Sequence, residues 1–186
     1  MSLRRGFKAN ANRISLRLRQ SLGLGPEAPI DLTHIAARLN IRIVCLTEFA
    51  DEYPAAVRQL TVIDEGAFSA ATLPLGSGKR IIIHNDRHDP GRQSNSIAHE
   101  LAHVLLGHRF TLPIDASGCR NGDRELEEQA NWLGPTILIS NEAAMHIVRI
   151  GMDTGTACNL YKVSPTLLRM RINASGATTR IRRALN

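Results

Sequence analysis

The stretch His99-Glu100-Leu101-Ala102-His103 is the part of the chain whose residue types and spacing name a chemistry. Positions four apart on a helix point the same way, one turn above the other, so the two imidazoles are set to grip one metal ion. Glu100 then projects beside that ion, placed to take a proton from an activated water. Metal-assisted peptide hydrolysis needs this arrangement. The rival reading, a surface or core histidine pair unrelated to metal, leaves Glu100 without a role.

A catalytic zinc takes a third protein ligand and keeps one position for water. His108 is near in sequence, but the HExxHxxGxxH pattern would put glycine at 106 and histidine at 109. Those positions hold Leu106 and Arg109. Gly107-His108 misses that register, and Gly107 reads instead as the end of the helix. The second candidate is Glu127 on the next helix, where Glu127 and Asn131 share a face and Ala130 allows close approach. Glu127 would supply a carboxylate, and Asn131 would accept a hydrogen bond from a ligand imidazole's outer N–H. Glu125 and Glu128 compete for the ligand role, and spacing alone leaves that choice open.

These side chains must be carried by regular elements, and the pattern predicts several. Apolar residues at helical spacing predict helices over 7–22, 31–39, 95–107, 123–138, 141–149, 154–162 and 165–173. Asp31 is the expected N-cap of the second of these helices, and Ser164-Pro165 opens the last. β-Branched runs predict strands over 41–46, 67–73 and 80–84, the last two joined by a turn at Gly76-Ser77-Gly78. Residues 47–60 carry no decisive pattern, and 86–93 reads as a polar loop. On the metal helix Ile97, Leu101, Val104 and Leu105 form the expected buried stripe, with His99 and His103 opening to a cleft. Sheet and helices segregate along the chain, which is an α+β arrangement with a small, about three-stranded sheet.

The 186 residues suffice for one sizeable domain, and 43% hydrophobic content fills a core that is mostly aliphatic, since only 4% is aromatic. We expect residues 1–150 to form the core with its N-terminal helix, and 151–186 a C-terminal helical, helix-turn-helix-like segment packed on it. Three cysteines without tight spacing (Cys45, Cys119, Cys158) argue against a disulfide framework or a cysteine zinc site. They read as buried small hydrophobes, with Cys119 the one candidate reactive thiol. Arg17 and Arg19 interrupt any signal-like apolar run near the N-terminus, and no membrane span is readable, so a cytoplasmic location is expected. The net charge of +6 is lopsided: residues 1–26 and 154–186 carry six basic side chains each and no acid. Such ends could touch nucleic acid, but no aromatics interleave the arginines as a single-strand-binding surface needs. Packing on the acidic body, or simple solvation, is the expectation.

From Ile81 to Ser140 the chain resembles the ImmA/IrrE family of zinc metallopeptidases. Ile81-Ile82-Ile83-His84-Asn85 is similar to the family's strand ending in Asn, Arg92 stands before the motif, and Ile97 to His103 with Gly107-His108 matches its metal helix. Glu127-Glu128-Gln129-Ala130-Asn131 matches its second helix, where the first glutamate is the third ligand, so the resemblance implies Zn2+ on His99, His103 and Glu127 with Glu100 as general base. It implies a zincin-like placement of the HExxH helix. Weaker similarity runs from Pro29-Ile30-Asp31-Leu32 to Tyr161-Lys162-Val163-Ser164. Trp132-Leu133, Gly134-Pro135 and Leu138-Ile139-Ser140 depart from the family's usual residues, and Pro135 should kink or interrupt its helix. The resemblance also implies a protein substrate, a helix-turn-helix repressor that is cleaved or otherwise inactivated.

The expectation is therefore a zinc endopeptidase whose substrate lies extended beside the strand edge at 80–84. Tyr161, His146, His108 and Tyr53 are the candidate oxyanion donors. The competing expectation is a non-hydrolytic regulator that binds a repressor or DNA, with a structural or vestigial metal site. Its sequence basis is the helix-turn-helix-like run 157–171 and the arginines after it. His84 reads as a packing or cleft-wall residue, and His34 and His88 as surface groups.

Overall fold

Side-chain caps set where five of the helices start in the computed structural model, which describes residues 3–108 and 123–185. After α1 (Phe7–Ser21), Asp31 accepts from the main-chain N–H of Thr33 at 2.9 Å and opens α2 (Leu32–Arg38), as expected. Strand β1 (Ile41–Cys45) follows. The undecided stretch after it forms a 3-10 turn (Leu46–Phe49), the short helix α3 (Pro54–Arg58) and a π turn (Gln59–Ile63). Strands β2 (Ala70–Pro74) and β3 (Arg80–His84) lead to α4 (Pro90–Leu105), which carries the motif. Helix α5 (Arg124–Leu138) is capped by Asp123, α6 (Asn141–Arg149) by Ser140 and α7 (Thr154–Tyr161) by Asp153. Ser164 accepts from Leu167 N–H ahead of α8 (Pro165–Ser175), whose first residue is the expected proline. Gly176 then turns the chain at φ 67 into α9 (Ala177–Leu185). The expected α+β class is the one found.

Four departures have physical reasons. Helix α4 starts at Pro90, inside the expected polar loop, because proline's fixed φ suits a first helical position that needs no N–H partner. Helix α5 runs through Pro135 because residues 133–138 are all buried, and tertiary packing outweighs the missing N–H. Helix α9 has no apolar stripe to read, because Ala177 is the one fully buried apolar side chain among its residues 177–184, which are mostly Thr and Arg. The sheet order is β1-β3-β2, with β3 parallel to β1 and antiparallel to β2. Residues 80–84 are therefore the central strand, with no edge free for a substrate. The edge that faces α4 belongs to β2.

The core sits between sheet and helices, with Ile35, Ile82 and Leu101 among its fully buried residues. The seam between α4 and α5 is built from small residues: Ala98, Ala102 and Ala130 are 0% exposed, while Val104 and Leu105 of the expected stripe are only partly buried. Asn85 anchors the end of β3, since its side-chain amide donates to Leu60 O at 2.9 Å and Phe68 O at 3.3 Å. His88 is buried rather than on the surface, donating from Nε2 to Glu65 O at 2.8 Å.

Two of the terminal arginines are neither solvated nor paired with carboxylates. Arg19 donates to Ala28 O, Leu138 O and the Ser15 hydroxyl, and Arg171 donates to Ile139 O and the Asn141 side chain. Both guanidinium groups are buried, and burial pushes each down to about 10, which leaves them charged at neutral pH. They satisfy the orphan carbonyls at the C-terminal end of α5, where a cation also suits the helix dipole. The two ends of the chain thus clamp the helix that carries Glu127.

Candidate metal centre

The spacing of α4 puts His99 and His103 on one face, and the small-residue seam brings α5 close enough to answer them. Gly134 marks the tightest approach: a Cβ there would lie 3.0 Å from His99 N and 3.1 Å from Ala98 C. Those neighbours are backbone and cannot swing aside. We expect Gly134→Ala to push α5 off α4, cost about 1–3 kcal/mol of stability and loosen the site beside it. Chemical denaturation alongside a zinc titration checks this, and unchanged stability would show that the seam has slack.

Across this seam His99 Nε2 and His103 Nε2 lie 3.0 Å apart, with Glu127 Oε2 at 3.3 Å from the first and Oε1 at 3.4 Å from the second. Among the described residues these three side chains form the one cluster of His, Cys, Asp or Glu close enough to share an ion. Two ring nitrogens and a carboxylate converge there, a donor set that a shared cation would hold together. The separation of the two nitrogens is close to the about 3.3 Å expected for two imidazoles on a tetrahedral zinc. Burial, then the neighbouring His99 ring, pushes His103 down to about 4 against the pull of Glu127, so the imidazole is neutral at pH 7 and able to ligate. The side chains of His99, His103 and Glu127 are 22%, 15% and 46% exposed, so solvent reaches the group from the Glu127 side. The residues present fit a divalent metal.

The Glu100 carboxylate is held against the sheet through one of its oxygens. Its Oε2 accepts from the main-chain N–H of Thr72 at 2.9 Å and from the Thr72 hydroxyl at 2.7 Å. Thr72 N–H is thus one of the outward groups of the β2 edge, and the carboxylate is pinned between helix and strand with Oε1 left over. Spacing could not reveal Thr72, because only the antiparallel register of β2 on β3 brings it opposite the motif.

The rival carboxylates are engaged elsewhere: Glu128 pairs with Arg124 at 3.3 Å, and Glu125 accepts from Gln129 Nε2 at 3.3 Å. Asn131 does not take the outer N–H of His103. It is exposed and lines a cleft of ≈ 470 Å³ with Arg92, Asn95, Ser164 and Met170. Asn95 lies one turn before His99 and Asn131 one turn after Glu127, so this cleft continues the groove between α4 and α5 beyond the cluster. Arg92 reaches from it to the Ser69 hydroxyl at 3.0 Å. The partner of His103 Nδ1 is instead His108 Nδ1 at 2.9 Å, and His108 Nε2 meets Gln129 Oε1 at 3.3 Å.

The oxyanion candidates divide. The Tyr161 hydroxyl donates to Glu27 O at 2.8 Å, tying α7 to the N-terminal linker. His146 meets Arg149 on α6, and Tyr53 stands exposed at the start of α3. His108 touches the cluster through His103 alone. His84 is buried at the end of β3 with Nε2 3.7 Å from Cys45 Sγ, in keeping with a packing residue. Cys45 and Cys158 are half-buried rather than buried as expected, and Cys119 lies outside the described residues. Among the described residues no helix is long and apolar enough to cross a membrane.

No curated protein matches the chain. Residues 51–173 match the family model for peptidase M78, described as the IrrE N-terminal-like domain. That span runs from the residues before α3 into α8, and it holds β2, β3, the motif helix and Glu127.

Proposed function

The chain belongs to the IrrE N-terminal-like peptidase family, the ImmA/IrrE group its motif resembles, and from this premise we propose that it is a zinc-dependent endopeptidase. The observation that carries the proposal is the convergence of His99 Nε2, His103 Nε2 and the Glu127 carboxylate beside a glutamate pinned on the same helix. In this reading His99, His103 and Glu127 hold the metal and Glu100 is the general base. Zinc is the metal that suits a histidine and carboxylate set in a groove open to solvent.

The bound metal would supply Lewis-acid polarisation of a peptide carbonyl and acidify a water towards neutrality. Glu100 takes the proton of the attacking water on Oε1, because Thr72 occupies Oε2, and returns it to the leaving amine. Thr72 thereby orients the base while its own N–H is withdrawn from the strand edge. The substrate lies extended along the outer edge of β2, using the remaining outward main-chain groups for alignment. It continues into the groove lined by Asn95 and Asn131. Residues 1–150 act as the peptidase core and 151–186 as a helical segment resting on it, a division supported by the packing of α8 and α9 on α6.

The proposed substrate is a helix-turn-helix repressor in the cytoplasm, a reading that rests on the family resemblance. Its test is incubation of the zinc-loaded protein with purified helix-turn-helix repressors from the same genome, with fragments read by mass spectrometry. Cleavage at a defined bond, stopped by a chelator and restored by Zn2+, is the expected result. A zinc-loaded protein that silences the repressor while leaving every peptide bond intact replaces this reading with the non-hydrolytic one.

A further inference from the structure

We propose that His108 is a positioning residue for His103: it holds that ring as the Nδ1–H tautomer and leaves the Nε2 lone pair aimed at the metal. The proposal rests on the reading of His99, His103 and Glu127 as ligands. Its starting point is the end of α4. Gly107 adopts φ 69, and the turn it makes sends Gly107 N–H to Val104 O at 3.1 Å and His108 N–H to His103 O at 3.0 Å. This is the glycine-terminated helix ending in which two N–H groups beyond the helix fold back on its last carbonyls. It lays His108 over His103, buried, with the two Nδ1 atoms 2.9 Å apart.

The direction of the hydrogen bonds follows from the far end of the chain of contacts. The Glu125 carboxylate only accepts, so the Gln129 group facing it at 3.3 Å is the NH2. Gln129 Oε1 is then the atom that meets His108 Nε2 at 3.3 Å, and as an acceptor it requires Nε2–H there. A neutral His108 with its proton on Nε2 has a bare Nδ1, which must accept at 2.9 Å from His103 Nδ1–H. His103 therefore carries its proton on Nδ1, and its Nε2, beside Glu127 Oε1, keeps a lone pair that without metal accepts from His99 Nε2–H at 3.0 Å. Reversing the direction would set Gln129 Oε1 against a carboxylate oxygen, two acceptors face to face. Metal-bound histidines commonly have such outer partners, which fix tautomer and ring orientation. Here two side chains on α5, one turn apart, set the tautomer of a ring on α4.

The test has two independent readouts. In metal-free protein at a fixed alkaline pH, nitrogen-15 spectra of the histidine rings should place the His103 proton on Nδ1, and in His108→Phe they should show it move to Nε2. In competition with a chromophoric chelator, we expect His108→Phe to bind Zn2+ about 10–100-fold more weakly, and His108→Asn, which keeps an acceptor near the Nδ1 position, to stay within about threefold of wild type. Should the phenylalanine variant not fold, Gln129→Met, on the surface side of α5, tests the next link and should weaken zinc binding while shifting the His108 tautomer. A wild-type His103 protonated on Nε2, or folded His108→Phe and Gln129→Met proteins that hold zinc as tightly as wild type, overturns the proposal. A wild-type protein that binds no zinc sinks the metal-centre reading instead, and the tautomer spectra, taken without metal, still decide the role of His108.

Discussion

Glu100→Gln is expected to bind zinc as wild type does and to lose about 10²–10⁴-fold in peptide hydrolysis. The asymmetry follows from where the carboxylate sits. Its Oε2 is held at 2.9 Å and 2.7 Å by Thr72 N and Oγ1, and it is not one of the three converging side chains. A glutamine fits the same space, and its carbonyl oxygen takes over both bonds from Thr72. The amide nitrogen then falls where Oε1 stood, and it cannot accept a proton from water. Stability and metal content should therefore stay put while turnover collapses. Zinc content by atomic spectroscopy and turnover of a matched substrate check the two halves separately. Hydrolysis that survives in a zinc-loaded Glu100→Gln protein removes Glu100 as the base, and loss of zinc along with activity makes it a ligand. If the biological effect on a repressor persists in the variant, the protein acts by binding rather than by cutting.

How far the sequence reveals such a site depends on which contacts are local. His99, Glu100 and His103 are related by helical periodicity alone, so one short stretch shows their common face. The N-caps at Asp31 and Ser164, and the end of α4 at Gly107, are likewise decided within a few residues, and the structure has them as read. Thr72 and Glu100 meet across 28 positions through the β2–β3 register, which no single-chain pattern specifies. Strand order is not legible for the same reason, although the three consecutive isoleucines of 80–84 suit the middle of a sheet, where the structure has them. Asn131 fails as the partner of a ligand ring because one helical turn beyond Glu127 also moves about 6 Å along α5, towards the cleft with Asn95. His108 missed the known ligand register, yet the glycine before it folds it onto His103, so its position relative to the helix end carried the information. For Arg19 and Arg171 charge alone suggests packing on acidic groups or solvation; both are instead buried caps on the carbonyls of α5, a role visible only once α1 and α8 are seen to converge there.

The carboxylates of α5 give the other large effect, because three glutamates within four positions have different surroundings. Glu127→Gln should weaken zinc binding beyond the about 10–100-fold typical of outer-shell changes, and lose hydrolysis in proportion. Its two oxygens face His99 Nε2 at 3.3 Å and His103 Nε2 at 3.4 Å, and a neutral amide offers neither the charge nor the second oxygen. Glu128→Gln breaks an exposed ion pair with Arg124 at 3.3 Å, one turn away on the same helix, and such pairs contribute a few tenths of a kcal/mol. It should leave zinc affinity and turnover unchanged. Glu125→Gln is the informative intermediate: it abolishes the acceptor-only end that orients Gln129 and should cost a few-fold in affinity with no direct contact to the cluster. The ranking Glu127, then Glu125, then Glu128 separates a ligand from a relay, and a relay from a carboxylate engaged with Arg124 on the same helix. Equal losses at 127 and 128 would mean that bulk negative charge attracts the ion and that the geometry around His99 and His103 does not hold it.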